Sequence, residues 1–227
     1  MDIHLSNGIP RQIEGRGRVP KIVGVLLAVV FTVAGCAKVP GVYVAVKEGS
    51  SAQDGGFSAK AYADRIWASK VIPAVLAKAV DASTVLAAIK ANEAAANAKY
   101  GVQSGSSGGA DTFLVKGSGA VQSVQQQGGA GELMVTLTAG AIINIAVGPA
   151  FLGTAIRDGV GFIEFGQFTN QIDYSAVATA LNSEVRSKIV GTLDLNTIKG
   201  KTVTFAGAFQ LLDPQNIVVT PVKLEVS

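Results

Sequence analysis

The order of strand-like and helix-like segments along residues 102–227 is the feature that most restricts the fold of this chain. Five segments combine short apolar alternation with flanking turn residues, which is typical of strands. They are TFLVKGSGAVQSVQQ, GELMVTLT, IINIAVG, KTVTFAGAFQLL and IVVTPVKLEV. Between the third and the fourth, DYSAVATALNSEVRSKIVG repeats apolar residues at three- and four-residue spacing, which predicts an amphipathic helix. The order is therefore three strands, one helix and two strands.

Five strands with a helix between the third and the fourth match the OB-fold, a partly open barrel that commonly binds oligonucleotides or oligosaccharides. The third strand is apolar on both faces, so we expect it to be central. The helix is expected over about 173–190, with Asp173 as its N-cap and Gly191 as its C-cap. Residues 102–227 are therefore predicted to form an OB-like β domain.

Residues 57–101 show helical periodicity instead. Ser58 is suited to cap a first helix, and Pro73 is expected to kink or split it. An alanine-rich stretch predicts a second helix, which begins at Asp81 or Ser83 and ends at the glycine of KYG. The predicted fold class is thus α+β, with a small N-terminal helical subdomain packed on or beside the five-stranded barrel.

Residues 22–36, IVGVLLAVVFTVAGC, carry the pattern of an export signal. A basic region precedes this apolar run, and small residues end it. Its 15 residues are fewer than the roughly 17 to 25 that a membrane-spanning helix needs, which disfavours an uncleaved anchor helix. Because residues 1–21 are long for the basic part of such a signal, we expect translation to begin near Val19.

The end of this run, VAGC, resembles the lipobox of bacterial lipoproteins. The resemblance implies that Cys36 carries a diacylglyceryl thioether and that cleavage follows Gly35. Two or three acyl chains, such as palmitate, hold a protein stably at a bilayer. We therefore expect a signal peptide over 1–35, a tether over 36–56, and a mature protein anchored on the periplasmic side of either the inner or the outer membrane.

The composition of the mature part excludes several classes of function. Without residues 1–35, the net charge of +3 falls to +1, because 15 basic and 14 acidic residues remain. Such a protein lacks the basic surface that nucleic acids require, so we expect no nucleic-acid partner. The only histidine, His4, lies in the segment that is expected to be removed, and the only cysteine, Cys36, is the expected lipidation site. The mature chain therefore has no histidine and no free thiol for histidine-based catalysis or Cys/His metal sites. We expect no metal, no cofactor and no enzymatic activity.

The connector GTAIRDGVGFIEFGQFTNQ, between the third strand and the helix, concentrates charged, amide and aromatic side chains. Arg157 and Asp158 can serve as a donor fork and an acceptor for a polar ligand. Stacking side chains and directional amides then complete a candidate ligand or partner site. These are Phe162, Phe165, Phe168, Asn170 and Gln171. Alternatively, Arg157 and Asp158 pair with each other or with the loop backbone, and the phenylalanines plug the barrel end.

Two further features of the mature chain allow more than one interpretation. Trp67 is either a core anchor between helix and barrel or part of a partner-binding surface, and its apolar neighbours at helical spacing favour the core. The basic residues of the first helix, such as Arg65 and Lys70, are expected to be a solvated face. Asp158, Glu164 and Asp173 lie close in sequence, and two carboxylates can suffice for glycoside hydrolysis, although no motif joins them.

Behind the lipobox, several segments resemble an uncharacterised family of predicted periplasmic lipoproteins. They are FSAKAYADRIWASKVIPAV, KYG, TFLVKGSG, GTAIRDGVGFIEFGQFTNQIDYSAVATALN, GKTVTFAGAF and TPVKLEV. Members of that family tend to be encoded beside sugar ABC transporters. The resemblance implies a helical part plus an OB-like part, a role accessory to carbohydrate uptake, and no catalytic residue. We therefore expect a binding or adaptor lipoprotein that contacts transporter components or a saccharide; the alternatives are a purely structural envelope protein and a carboxylate-dependent glycoside hydrolase.

Overall fold

Residues 56–102, 111–127 and 129–227 are described by a computed structural model. The predicted signal peptide, the predicted lipidation site Cys36 and all but the last residue of the predicted tether lie outside these residues, so they stay predictions. Within the described ranges, no helix combines the length and the hydropathy that crossing a bilayer requires.

The first helix begins where the sequence predicts. Helix α1, Ala59–Ile66, is capped by Ser58, whose side chain accepts a hydrogen bond from the Ala61 N–H at 3.3 Å. A π turn, Trp67–Val71, follows, and α2, Ile72–Lys78, continues from it with Pro73 in its first turn. Proline has no N–H to donate to the preceding turn, so the regular α-helical hydrogen bonding is broken just before it. The predicted interruption at Pro73 is confirmed, and it takes the form of the π turn.

The second predicted helix is two helices. Helix α3, Ala82–Ala91, is capped by Asp81, and α4, Glu93–Tyr100, starts immediately after Asn92. The Asn92 side chain accepts from the Ala95 N–H at 2.9 Å, while its backbone is extended at φ −163°. Asparagine satisfies a helix start better than a helix interior, which explains the break inside an alanine-rich stretch. The single helix predicted there was wrong, although its end at Gly101 was correct.

The five predicted strands are all present, in the predicted order along the chain, and they form one barrel. Its five strands are β3, Thr112–Gln127; β4, Ala130–Leu137; β5, Ile142–Ala146; β6, Thr202–Gln210; and β7, Val218–Val226. Two-residue strands, β1 (Val80–Asp81) and β2 (Gly101–Val102), add to β3 from the helical part. The barrel order is β3-β4-β5-β7-β6, and β6 pairs back onto β3. The OB-like barrel and the α+β class are thereby confirmed.

Strand β3 belongs to two walls of this barrel. Its first part, from Thr112 to Ala120, pairs with β6, and its second part, from Gly119 to Gln127, pairs with β4. At the corner, a Cβ atom on Gly119 would lie 2.3 Å from the Thr136 carbonyl oxygen. Only glycine allows the strands to approach this closely, which explains a glycine inside a strand.

The barrel closes through a short parallel contact between β5 and β7. Only two pairs join these strands, Asn144 with Val218 and Ile145 with Val219. Strand β5 thus lies between β4 and β7, as expected for a central strand. Its two apolar faces are buried to different degrees, since Ile142 is 60% exposed whereas Ile143 is buried. A barrel strand has one face inside and one outside, even where both are apolar.

The connector after β5 contains more helix than the sequence predicts. Residues Ala155–Gly159 form a short helix, α5, and Phe165–Gln167 form a 3-10 turn. Helix α6, Gln171–Glu184, follows and ends in a second π turn, Val185–Val190, which Gly191 caps as predicted. The N-cap of α6 is Asn170, so the assignment of Asp173 to that position was wrong.

The helices pack onto the barrel through one continuous apolar core. Trp67, 2% exposed, belongs to it, together with Phe113, Phe205 and Phe209 of the barrel. The rings of Phe113 and Phe209 stack with centroids 5.0 Å apart. Helix α2 contacts β3 and β6, so the helical part packs against these strands. Trp67 therefore occupies the core position that its helical spacing favours.

Candidate functional site

Arg157 and Asp158 form a buried ion pair on α5. The Arg157 Nε donates to Asp158 Oδ1 at 2.8 Å, and the side chains are 9% and 5% exposed. Arg157 also donates through Nη1 to the Tyr174 carbonyl at 3.3 Å, and its guanidinium lies 3.8 Å from the centroid of the Tyr174 ring. The guanidinium is therefore engaged by a carboxylate, a carbonyl and an aromatic face of the protein itself.

The second oxygen of Asp158 is equally well supplied. Thr154 donates its hydroxyl to Asp158 Oδ2, and Gln210 of β6 donates its Nε2 to the same oxygen at 3.3 Å. Gln210 also donates to the Thr154 hydroxyl oxygen at 3.0 Å. Buried charges are tolerated when they are paired and hydrogen-bonded in this way. The network fastens α5 to the barrel, which matches the structural interpretation of these two residues.

Aromatic rings line the contact between α1, the connector and α6. Phe168 packs against Phe57, Tyr62 and Tyr174 with ring centroids 5.2 to 5.6 Å apart. Phe165 packs edge-on against Tyr174 at 5.6 Å and is 47% exposed. Burial raises the pKa of both Tyr62 and Tyr174, because the charged phenolate is poorly solvated in this cluster. Phe168 is thus a packing residue, and Phe165 covers the edge of the cluster.

The amides of the connector end at the start of α6. Asn170 accepts from the Asp173 N–H at 2.9 Å and donates to the Asp173 carboxylate at 3.0 Å. Gln171 is exposed in the first turn of the helix. Both hydrogen bonds of the Asn170 side chain are made to Asp173, so they stabilise the start of α6.

A groove of about 670 Å³ lies between the first helical segment and the connector. Side chains at helical spacing on α1, the π turn and α2 form one wall, and two residues of the connector form the other. The lining residues are Tyr62, Arg65, Ile66, Ser69, Lys70, Pro73, Ala74, Phe162 and Gln167. Among the residues singled out in the connector, Phe162 is the one that lines this groove.

The groove combines aromatic walls with polar groups. Gln167 donates its Nε2 to the Phe162 carbonyl at 2.9 Å, which leaves its Oε1 as an acceptor. The Arg65 guanidinium lies 5.5 Å from the centroid of the Tyr62 ring. Clefts of about 300 to 1,000 Å³ with apolar walls and a few polar groups are typical of small-molecule sites. The groove is therefore a candidate ligand site.

Sequence reasoning missed most of this groove. Arg65 and Lys70 are exposed, as expected for a solvated face, and both also line the groove, which was not expected. Their spacing from Tyr62 along the helix was visible in the sequence. The opposite wall was not, because Phe162 and Gln167 lie far along the chain and reach the helix only through the tertiary fold.

Comparison with known proteins identifies the family. The family described as "Predicted periplasmic lipoprotein (DUF2291)" matches residues 26–225. The chain belongs to this family. The resemblance at the level of sequence segments is thereby confirmed, and the protein is a lipoprotein of the periplasmic side of the envelope. No curated protein matches the chain.

The fold of this lipoprotein has a solved relative. A crystal structure of an OB-fold protein from Thermotoga maritima aligns with a TM-score of 0.60 and 21% sequence identity. The alignment covers 76% of this chain and 99% of the other. At this identity the likeness concerns the fold, and it supports the barrel order described above.

The carboxylates considered for glycoside hydrolysis have different surroundings in this lipoprotein. Asp158 is buried in its ion pair, and Asp173 hydrogen-bonds to the cap residue Asn170. Glu164 is exposed in the connector. Among the described residues, no cluster of three or more acidic, histidine or cysteine side chains is arranged to hold a metal ion.

Proposed function

We propose that this lipoprotein is a non-enzymatic accessory of carbohydrate ABC transport, held at the membrane by a lipid on Cys36. In this proposal it binds a saccharide in the groove between α1–α2 and the connector, or presents the saccharide to transporter components. The lipobox supports the membrane attachment, and the association with sugar transporters that the family resemblance implies supports the role in transport. The groove supports the binding role.

One observation carries this proposal. The groove places the aromatic side chains of Tyr62 and Phe162 beside polar groups of Arg65, Ser69 and Gln167. Saccharides combine an apolar face of C–H groups with a rim of hydroxyls, so they need an aromatic surface and directional hydrogen bonds together. The buried pair Arg157–Asp158 does not offer this, because its polar atoms already bond within the protein.

The test of saccharide binding uses calorimetry on the full chain in detergent micelles, with a panel of mono- and oligosaccharides. We expect saturable heat with at least one of them. Phe162→Ala should weaken that binding about threefold to tenfold, as expected for the loss of one aromatic contact. Phe165→Ala is the matched control, since Phe165 lies in the same connector but outside the groove. Equal losses in both variants, or no heat from any saccharide, would contradict the binding role.

The link to transport needs a separate experiment in cells. Affinity capture from detergent-solubilised membranes should recover permease or binding-protein components of a sugar transporter. Deletion of the gene should slow growth on the sugar concerned. Failure to capture any transporter component, with unchanged growth on every sugar tested, would instead favour a purely structural envelope protein.

A further inference from the structure

The groove carries positive charge without compensating carboxylates. Arg65 and Lys70 both line it, and none of its lining residues is acidic. Neither cation takes part in an ion pair among the described residues. A ligand in the groove therefore meets two positive charges that no carboxylate of the described residues neutralises.

The acidic residue next to Arg65 in sequence is engaged elsewhere. Asp64 accepts from Lys60 at 2.6 Å on an adjacent face of α1. This bond lowers the pKa of Asp64, so the carboxylate stays charged and paired with Lys60. Helix α1 thus directs its acid–base pair away from the groove and its remaining cation, Arg65, into it.

The π turn brings these groups onto one wall. Within Trp67–Val71 the helix is widened, and the Ile72 N–H bonds to the Trp67 carbonyl five residues back. Ser69 donates its hydroxyl to the Arg65 carbonyl at 2.9 Å, which satisfies a backbone acceptor beside the widened turn. Single π turns inside helices occur frequently at functional sites. Here the turn holds Ser69 and Lys70 on the same wall as Arg65.

We propose that the groove selects an acidic saccharide, one that bears a carboxylate on a sugar ring. This inference rests on the proposed saccharide-binding function. The carboxylate would be held by the Arg65 guanidinium, whose planar fork fits two carboxylate oxygens, and by the Lys70 ammonium. The ring would lie between Tyr62 and Phe162, with its hydroxyls donating to the free Oε1 of Gln167.

The experiment compares D-galacturonate with D-galactose, and D-glucuronate with D-glucose, by calorimetry on the full chain in detergent micelles. In each pair only the oxidised C6 differs. We expect the acid to bind at least about tenfold more tightly than the neutral sugar at low salt, and the difference to shrink at high salt. Inorganic phosphate and acetate serve as anion probes without a sugar ring, and both should bind far more weakly.

Variants assign the selectivity to the groove. Arg65→Gln combined with Lys70→Gln should remove the preference for the acid, because it should weaken binding of the acid far more than binding of the neutral sugar. Lys90→Gln is the matched control, because Lys90 is exposed on α3 and outside the groove. Thermal unfolding followed by circular dichroism should show the same midpoint for the unmodified protein, the double variant and the Lys90→Gln control, since exposed charges contribute little to stability.

The outcomes separate the inference from the function on which it rests. Equal binding of acid and neutral sugar would overturn the selectivity and leave saccharide binding standing. Acetate or phosphate binding as tightly as the sugar acid would also overturn it, because the ring would then contribute nothing. Absence of binding by all four sugars would overturn the inference, and absence of binding by every saccharide of the wider panel would overturn the proposed function as well. A preference for the acid that survives in the double variant would place the site elsewhere and refute the inference.

Discussion

Arg157 is enclosed by a carboxylate, an aromatic ring and a backbone carbonyl, all supplied by the protein. Its charge is therefore neutralised inside the fold and is not available to a ligand at the surface. The energetic role of such a pair is asymmetric. The intact pair contributes modestly to stability, but removal of one partner leaves the other buried and uncompensated.

Arg157→Ala should therefore destabilise the protein strongly. We expect the free energy of unfolding to fall by about 3 to 5 kcal/mol, because Asp158 would remain buried without its partner. Urea denaturation followed by circular dichroism measures this change. Lys223→Ala is the control, since its ion pair with Glu225 is exposed and should contribute below about 1 kcal/mol. A small decrease in the free energy of unfolding that is similar in both variants would show that the Arg157–Asp158 pair does not stabilise the fold.

Residue chemistry alone could not assign these roles. The sequence shows that Arg157, Asp158 and Phe162 occupy one connector, but it does not show which way each points. Arg157 and Asp158 lie on the short helix α5, and Gln210 of the barrel donates a hydrogen bond to Asp158. Phe162 follows this helix and lines the groove. The pairing of Arg157 with Asp158 was one of the two alternatives that the sequence allowed, but the choice between them depends on Gln210 of β6, which is distant in the chain.

At the scale of elements, most starts and ends follow from local chemistry. Ser58 and Asp81 cap helices where the sequence predicts, because a short polar side chain before an apolar periodic run is a strong signal. The start of α6 was misplaced by three residues, since Asn170 and Asp173 both suit a cap. Asn170 is the N-cap, and Asp173 lies in the first turn, where its negative charge interacts favourably with the positive end of the helix dipole.

Asn170→Ala should lower the free energy of unfolding by about 1 kcal/mol, the usual cost of removing an N-cap. Asn170→Ser should restore most of it, because serine can also accept from the Asp173 N–H. Thermal or urea unfolding of the two variants gives the comparison. If alanine and serine are equally destabilising, the capping bond does not carry the role of Asn170, and a ligand role regains support.

At the scale of the whole molecule, periodicity predicted the order of the strands along the chain but not the pairing that closes the barrel. Alternation identifies each strand, and the turns identify the hairpins β3–β4 and β6–β7. Closure depends on the long β3, which pairs with β6 as well as β4, and on the two residue pairs between β5 and β7. Pairing of distant strands leaves no local signal, so these contacts had to come from the structure.

Membrane attachment is also a property of the whole molecule, and we predict that it depends on a lipid at Cys36. Cys36→Ser should abolish incorporation of radiolabelled palmitate and move the protein from the membrane to the soluble fraction, because no acyl chain would then hold it. Fractionation followed by immunoblotting measures the shift. Cys36→Ser that still sediments with membranes would show that something other than the lipid holds the protein there.

The double pairing of β3 has a consequence for export. Thr112 of β3 meets Gln210 near the end of the chain, so the barrel cannot assemble until β6 and β7 have been delivered. Contacts of such large sequence separation form slowly and late. A chain that is exported before β6 and β7 are available therefore has no complete barrel. We expect the barrel to form only after these strands have crossed the membrane.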